Sequence, residues 1–202
     1  MRQMSTHDID SQHDFTPGSD YYDVLTVKVV SSTPEREIDD TEAIYFDLPT
    51  QGWHPGEVRQ HLRGTANQAP IQNYVLKESS TEVNWGASGA GLEIVLQVAN
   101  SIADGTIPAL IGAALDQLVM RASARRQPVG FLDEESAVHY AKRYLSIGHG
   151  ERYADLQVTK LELDHSQSAT VTLTGAAGTY ECTCSRTKGG MTMTRVKKTY
   201  GN

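Results

Sequence analysis

The residue types best suited to ligand chemistry lie in the glycine-rich stretch 84–91, NWGASGAG. It contains Gly86, Gly89 and Gly91, and the Ser88 hydroxyl lies between the first two. A loop of this kind before a helix offers backbone N–H groups to a phosphate. However, it lacks the lysine and following hydroxyl of a P-loop, and its GxxGxG order reverses the dinucleotide-binding fingerprint. We therefore predict tight turning and close packing, with small-ligand or nucleotide binding at these four residues as the alternative.

Other residues capable of catalysis or metal binding lack the spacing that those roles need. The histidines are scattered, and none forms an HExxH motif. Ser88 lacks the second glycine of a GxSxG nucleophile elbow. Cys182 and Cys184 form a lone CxC pair, whereas structural zinc needs four ligands, and a bond between them would be strained. The sequence predicts free thiols, no catalytic residue, no metal site and no cofactor, which favours a protein that is not an enzyme.

The C-terminal region contains a basic stretch with no acidic residue between Ser185 and Lys198. Its basic residues are Arg186, Lys188, Arg195, Lys197 and Lys198. They could contact a nucleic-acid backbone, but the chain has a net charge of −7 and no motif that reads nucleic acid. Lysines also protect an edge strand from unwanted pairing. We predict a solvated edge strand and treat these residues, with Trp85, as a candidate interaction surface.

Charge is unevenly distributed along the 202 residues. Residues 1–57 contain 12 acidic and 3 basic residues, whereas residues 121–202 contain 8 acidic and 12 basic residues. This asymmetry favours self-association, or a basic protein partner for the N-terminal region. The first 20 residues contain several acids and no apolar core, so we predict an exposed leader, no signal peptide and a cytoplasmic location.

The elements that would position these residues begin with N-terminal strands. Alternating apolar and polar residues predict strands at 22–30, 43–48 and 72–85. The acidic segment 31–42 is predicted to be a loop, and residues 57–62 a short helix.

The segment 88–126 has apolar residues at helical spacing in two arms, 92–103 and 107–120, separated by a break at Gly105. We predict an apolar helical hairpin. Each arm is shorter than the roughly 20 residues that span a bilayer, and charged and amide side chains interrupt both arms. A buried core is therefore the favoured interpretation, and a membrane-active effector acting through residues 92–120 is the alternative.

The C-terminal region has the pattern of one helix followed by a β-meander. Asp133, followed by Glu134 and Glu135, is typical of a helix N-terminus. Strands are predicted at 156–163, 169–174, 179–186 and 191–197, joined by turns. One face of this meander would carry Val171, Leu173, Tyr180, Cys182 and Cys184.

The elements together predict an α+β fold. It consists of N-terminal strands plus an apolar helical hairpin, followed by a helix packed on a C-terminal antiparallel meander. The predicted organisation is an acidic leader at 1–20, a strand and helical-hairpin unit at 21–126, and a helix-plus-meander unit at 131–198.

The sequence WGASG at 85–89, the following apolar segment, IPALI at 107–111 and the basic end at 121–126 resemble the effector-associated constant components of bacterial conflict systems. The resemblance covers about residues 20–126. It implies a compact, non-catalytic accessory protein beside variable effectors, and it supplies no catalytic residue. The resulting hypothesis is a protein-binding adaptor or structural subunit in a bacterial defence assembly. Its recognition surface would be the acidic front, the glycine turn or the edge of the C-terminal meander.

Overall fold

The computed structural model describes residues 24–33, 36–48, 55–68, 74–81, 91–98, 106–122, 132–164, 167–187 and 190–199. Within these ranges the chain forms eight strands and three helices. The strands are β1 (Val24–Thr33), β2 (Arg36–Leu48), β3 (Tyr74–Thr81), β4 (Gly91–Val98), β5 (Gln157–Asp164), β6 (Ser168–Gly175), β7 (Gly178–Arg186) and β8 (Thr192–Thr199). The helices are α1 (Pro55–Gln68), α2 (Thr106–Ala122) and α3 (Glu134–His149).

The eight strands form one mixed sheet in the order β3-β4-β1-β2-β8-β7-β6-β5. β1 and β4 are parallel, and every other neighbouring pair is antiparallel. β2 pairs with β8, from Glu42 opposite Lys197 to Asp47 opposite Thr192. The predicted α+β class is confirmed, and a single sheet runs through both of the units that the sequence suggests.

Helices α1 and α2 pack on one face of the sheet, and α3 packs on the opposite face of its other half. We call these faces the α1/α2 face and the α3 face. The core on the α1/α2 face includes Val58 and Leu62 from α1 and Ile111, Leu115 and Val119 from α2. The core on the α3 face includes Ala137, Ala141, Tyr144 and Leu145 from α3. Alternate residues of β2 enter both cores, with Phe46 on the α1/α2 face and Tyr45 on the α3 face.

The ends of α3 follow from local sequence. The Asp133 carboxylate accepts a hydrogen bond from Ser136 N at 2.8 Å, as an N-cap residue does. This hydrogen bond lowers the pKa of Asp133. At the other end, Gly150 adopts a left-handed conformation with φ of 68°, and its N–H donates to Leu145 O. The helix start predicted at Asp133 is confirmed.

The first arm of the predicted helical hairpin is wrong, because residues 91–98 form β4. Ile94, Leu96 and Val98 enter the core on the α1/α2 face, and Gln97 is only 5% exposed on the opposite face. A strand covered on both faces gives a nearly continuous apolar run, which periodicity does not separate from a buried helix. The second arm of the hairpin is helical as predicted, since it forms α2.

Two N-terminal boundaries also differ from the prediction. Residues 31–42, predicted to be a loop, lie largely in β1 and β2, which pair as an antiparallel hairpin with a register shift between Val30 and Ser31. α1 extends beyond the predicted 57–62 at both ends. Pairing with a neighbouring strand extends β2 into a stretch whose polar composition gives little local strand signal.

The C-terminal meander agrees closely with the prediction. β5, β6, β7 and β8 pair antiparallel in sequence order. The five residues predicted to share one face are all buried against α3, namely Val171, Leu173, Tyr180, Cys182 and Cys184. The alternation is clear here because α3 covers one face of these strands, whereas the opposite face of β6 and β7 carries polar residues such as Thr170, Thr172 and Thr183.

Candidate functional site

β5 ends the sheet among the described strands, and it is exposed along nearly its whole length. Val158 and Leu163 are 40% and 45% exposed, and Leu161 is only partly buried against the core on the α3 face. An edge strand presents backbone N–H and C=O groups with which another strand can pair. β5 therefore offers both backbone hydrogen-bonding groups and apolar side chains to a protein partner.

Two features of β5 restrict which strand can pair with it. The ladder between β5 and β6 shifts register between Val158 and Lys160, so Thr159 forms a bulge. Lys160 and Glu162 point away from the α3 face and form an ion pair at 2.8 Å. Bulges and charges on an edge strand oppose indiscriminate pairing. A partner strand must therefore match the charges as well as the backbone.

A cleft of about 670 Å³ lies beside β5, against the outer side of α3. Its apolar and aromatic walls come from Val138, Tyr140, Tyr153 and Leu161, and Glu134 and Glu135 add acidic groups. Tyr153 is 41% exposed, its hydroxyl lies 3.2 Å from His139 Nδ1, and Lys142 Nζ lies 5.5 Å from its ring centroid. A concave site with apolar walls and a few polar groups suits a side chain of a docked protein segment.

A nearly buried ion pair fixes α3, and therefore the cleft, on the sheet. Arg143 Nη1 donates to Asp47 Oδ2 at 3.1 Å, and Thr26 Oγ1 donates to Asp47 Oδ1 at 2.7 Å. The Arg143 and Asp47 side chains are only 13% and 11% exposed. Burial, reinforced by the negative charge of Asp47, raises the pKa of the adjacent Tyr144 well above its ordinary value. These contacts connect α3 to both β1 and β2.

The C-terminal end of α3 also lies very close to β2. The rings of Tyr45 and Tyr144 stack with centroids 4.2 Å apart. Gly148 allows the Tyr45 hydroxyl to approach the helix, since a Cβ at position 148 would lie 1.8 Å from that oxygen. A side chain at this position would displace either the helix or a tyrosine in the core.

Glu151 joins the end of α3 to the turn between β6 and β7. Its carboxylate accepts hydrogen bonds from Ala176 N and Ala177 N, both at 2.8 Å, and from the Tyr180 hydroxyl at 2.9 Å. Burial would raise the pKa of Glu151, but these three donors stabilise the anion and lower the pKa below its ordinary value. A Cβ at Gly175 would lie 2.5 Å from the carboxyl carbon, so the turn closes tightly around this anion.

Cys182 and Cys184 are free thiols in the core, as predicted. Burial raises the pKa of both, to about 11 for Cys184. Cys184 Sγ donates to Ala137 O at 3.6 Å, and Thr194 Oγ1 donates to Cys184 Sγ at 3.6 Å. A nucleophilic cysteine needs a stabilised, accessible thiolate. These two thiols therefore contribute to packing under α3.

The basic residues proposed as an interaction surface are divided in the structure. Arg195 forms an ion pair with Glu42, and Lys197 lies opposite Glu42 on β2 and Glu181 on β7. Lys198 lies on the α3 face, where its Nζ is 5.8 Å from a tyrosine ring centroid. The positive charges of β8 thus lie on two faces, and two of them lie among acids. Recognition of a nucleic-acid backbone uses a basic patch or stripe on one face.

β8 is not the edge strand that the sequence predicts. It pairs with β2 on one side and with β7 on the other, and the end of the sheet is β5. The pairing of β8 with β2 joins segments that are distant in the chain, so no local pattern encodes it. Arg186 ends β7 and is partly buried, and Lys188 lies outside the described residues.

The glycine-rich stretch lies mostly outside the part of the chain that the structure describes. Trp85, Gly86, Ser88 and Gly89 fall in the undescribed range 82–90. Gly91 is the first residue of β4, where it pairs with residues of β1 and β3 instead of beginning a helix. Ligand binding at this stretch stays a prediction.

Two absences among the described residues bear on the metal-binding and membrane-active alternatives. No cluster of three or more histidine, cysteine or acidic side chains in those ranges has the arrangement of a metal site. None of the three described helices is long and apolar enough to cross a membrane.

The edge of the C-terminal meander was a predicted recognition surface, but neither the residues of β5 nor the cleft was predicted from the sequence. A signal was present, because Leu161 and Leu163 alternate with charged residues on the first strand of the predicted meander. Only the sheet order reveals that β5 lies at the end and that α3 leaves it exposed.

The candidate site rests on this geometry alone. The chain matches no protein-family model, no curated protein and no solved structure.

Proposed function

We propose that this protein is a cytoplasmic, non-catalytic, protein-binding adaptor or structural subunit that docks its partner along β5 and the adjacent cleft. The observation that carries the proposal is the exposure of Val158 and Leu163 on the strand that ends the described sheet, together with the exposed ring of Tyr153 beside Leu161 of the same strand. Three of the five exposed large apolar side chains among the described residues lie in this one region. Clustered exposed apolar groups mark interaction sites more often than scattered ones do.

Two modes of contact support the proposal. A partner strand can continue the sheet by hydrogen bonding to the free side of β5, which is the mode known as β-augmentation. A side chain from the same partner can enter the cleft and contact Tyr153 and Tyr140, while Lys142 and Glu135 provide charged groups beside it. The backbone pairing gives affinity, and the cleft and the charges of β5 give selectivity.

The class of assembly comes from the sequence resemblance, not from the geometry. That resemblance suggests a bacterial defence or conflict system in which a constant accessory protein works beside variable effectors. Within the proposal, α3 and its anchoring contacts supply a rigid support for the docking surface, and the buried thiols have no chemical role.

The experiment compares two arginine substitutions at exposed apolar positions. L163R places a charge at an exposed apolar position of β5, whereas the matched control M120R places one on α2, where Met120 is 52% exposed. Each full-length chain is tagged and purified from the source organism, and bound proteins are quantified by mass spectrometry. We expect L163R to reduce recovery of the bound protein by about tenfold or more and M120R to leave it unchanged.

The purified partner is then tested for direct binding to both variants. If M120R abolishes binding of the partner and L163R does not, the docking surface lies on α2 and not on β5. A chain that binds no protein, including itself, would contradict the proposed function.

A further inference from the structure

We propose that the occupant of β5 is a second copy of this chain, paired antiparallel about a twofold axis through Leu161. This inference rests on the proposed function, since it uses the same edge, and it adds the identity of the partner. Two copies would then form one continuous sheet, with the two α3 helices on the same side. A twofold dimer uses the same surface twice, so that surface must complement itself.

The charges of β5 have this self-complementarity in one register. With Leu161 opposite its own copy, Lys160 of each chain lies opposite Glu162 of the partner chain. Directly opposed charges of opposite sign stabilise an antiparallel pair, and like charges destabilise it. The pairing therefore contains two favourable charge pairs and no unfavourable one. Both side chains are about 60% exposed and lie on the face opposite α3, so they are accessible to a partner.

Neighbouring registers fit less well. A shift of two residues places Lys160 opposite its own copy in one direction and Glu162 opposite its own copy in the other direction. A shift of one residue would place the apolar side chains on the wrong face of the joined sheet. The charge pattern thus selects the register centred on Leu161, because it is the one of these registers that opposes no like charges.

Apolar contacts accompany the charge pairs on the other face. In this register Leu161 contacts its own copy, and Leu163 of each chain lies opposite Thr159 of the partner chain. Both leucines lie on the side of the sheet that α3 covers only in part, and Leu161 lies beside Tyr153 in the cleft. Dimerisation would therefore bury the apolar groups that the single chain leaves exposed.

The test uses two single charge reversals in the full-length protein, measured separately and mixed. The wild-type chain is expected to sediment at twice its 22.1 kDa mass. In K160E the partner's Glu162 meets a carboxylate, and in E162K the partner's Lys160 meets an ammonium, so each variant alone places two like-charge pairs across the axis. We expect each dissociation constant to rise by about tenfold or more.

Mixing the two variants restores both opposite-charge pairs in a heterodimer. Native mass spectrometry of differently tagged chains should detect this heterodimer, and the double variant K160E/E162K should dimerise with itself as the wild type does. The intramolecular Lys160–Glu162 ion pair is absent from both single variants, so rescue by mixing cannot come from that contact. Far-UV circular dichroism spectra that match the wild-type spectrum establish that both single variants are folded, since loss of the dimer alone would lower the melting temperature.

Three results would overturn the proposal. They are a wild-type chain that stays monomeric at the highest concentration, a dimer that both charge reversals leave intact, and two dissociated variants that mixing does not rescue. If the chain is monomeric and L163R still abolishes binding of a different protein, the self-pairing inference fails while the proposed docking function stands.

Discussion

The two halves of the sheet are built from similar strands but are covered differently, and this difference explains where local pattern is informative. In the half formed by β3, β4, β1 and β2, α1 and α2 cover one face, and buried residues such as Gln97 and Thr26 lie on the other. In the half formed by β8, β7, β6 and β5, α3 covers only one face. Apolar and polar residues therefore alternate clearly along the strands of the second half. In the first half residues on both faces are buried, so the alternation in the sequence is weaker.

β2 is the strand on which the two halves meet, and removing the charge that it presents to α3 should have the largest effect on stability. D47A leaves the Arg143 guanidinium largely buried without its carboxylate partner. We expect a loss of about 3–5 kcal/mol in the free energy of unfolding, measured by urea denaturation. The control D155A removes an exposed carboxylate from the segment between α3 and β5 and should leave the urea midpoint nearly unchanged. If D47A and the control lower the urea midpoint equally, the ion pair between Arg143 and Asp47 does not stabilise the packing of α3 on β2.

A glycine in a helix of each half provides the second comparison. G148A in α3 places a methyl group against the Tyr45 hydroxyl and should destabilise the protein by about 2–3 kcal/mol. G64A in α1 meets no atom within 4 Å and should stabilise the protein by up to about 1 kcal/mol, since alanine favours helix. Thermal unfolding of both variants measures the difference. A stabilising G148A would mean that α3 does not approach β2 as closely as the structure shows.

The smallest expected effect concerns the acid stability that Glu151 gives to the C-terminal half. Its folded pKa lies below its ordinary value, so its contribution is complete above the unfolded pKa and is lost as the pH falls through the folded pKa. E151Q should cost about 1–2 kcal/mol at pH 7, because a charged acceptor is replaced by an amide. The cost should shrink as the pH falls through the acidic range, measured by urea midpoints at pH 7 and pH 3.

The control for this pH dependence is D155N, which changes an exposed carboxylate in the segment between α3 and β5. Its urea midpoints should follow those of the wild type at both pH values. If the cost of E151Q is the same at pH 7 and pH 3, the three hydrogen bonds to Glu151 do not favour the anion.

Several parts of the fold could be predicted because their causes are local. Asp133 caps α3 through a contact three residues away, and a cap of that kind is visible in the sequence. Cys182 and Cys184 share the face of Val171 because side chains alternate along strands. The α2 helix has an apolar stripe and a length typical of a helix, and both are visible before the structure is known.

The candidate site could not be predicted because its cause is not local. Leu163 is exposed because β5 lies at the end of the sheet, and that position depends on where β8 pairs. The basic residues of β8 were assigned to an edge because lysines are common there, but Arg195 instead pairs with Glu42 from a distant strand. Composition alone does not distinguish an edge strand from a charge-paired interior strand.

The sequence by itself determined the α+β class, the start of α3, the β-meander and the free thiols in its core. Hydrogen bonds between near neighbours and side-chain periodicity decide these features. Only the tertiary structure decided that residues 91–98 form a strand beside β1, that β8 joins β2, and that β5 remains at the end of the sheet. Strand order depends on contacts between distant segments, so the residues of the proposed docking surface became recognisable only once the sheet was assembled.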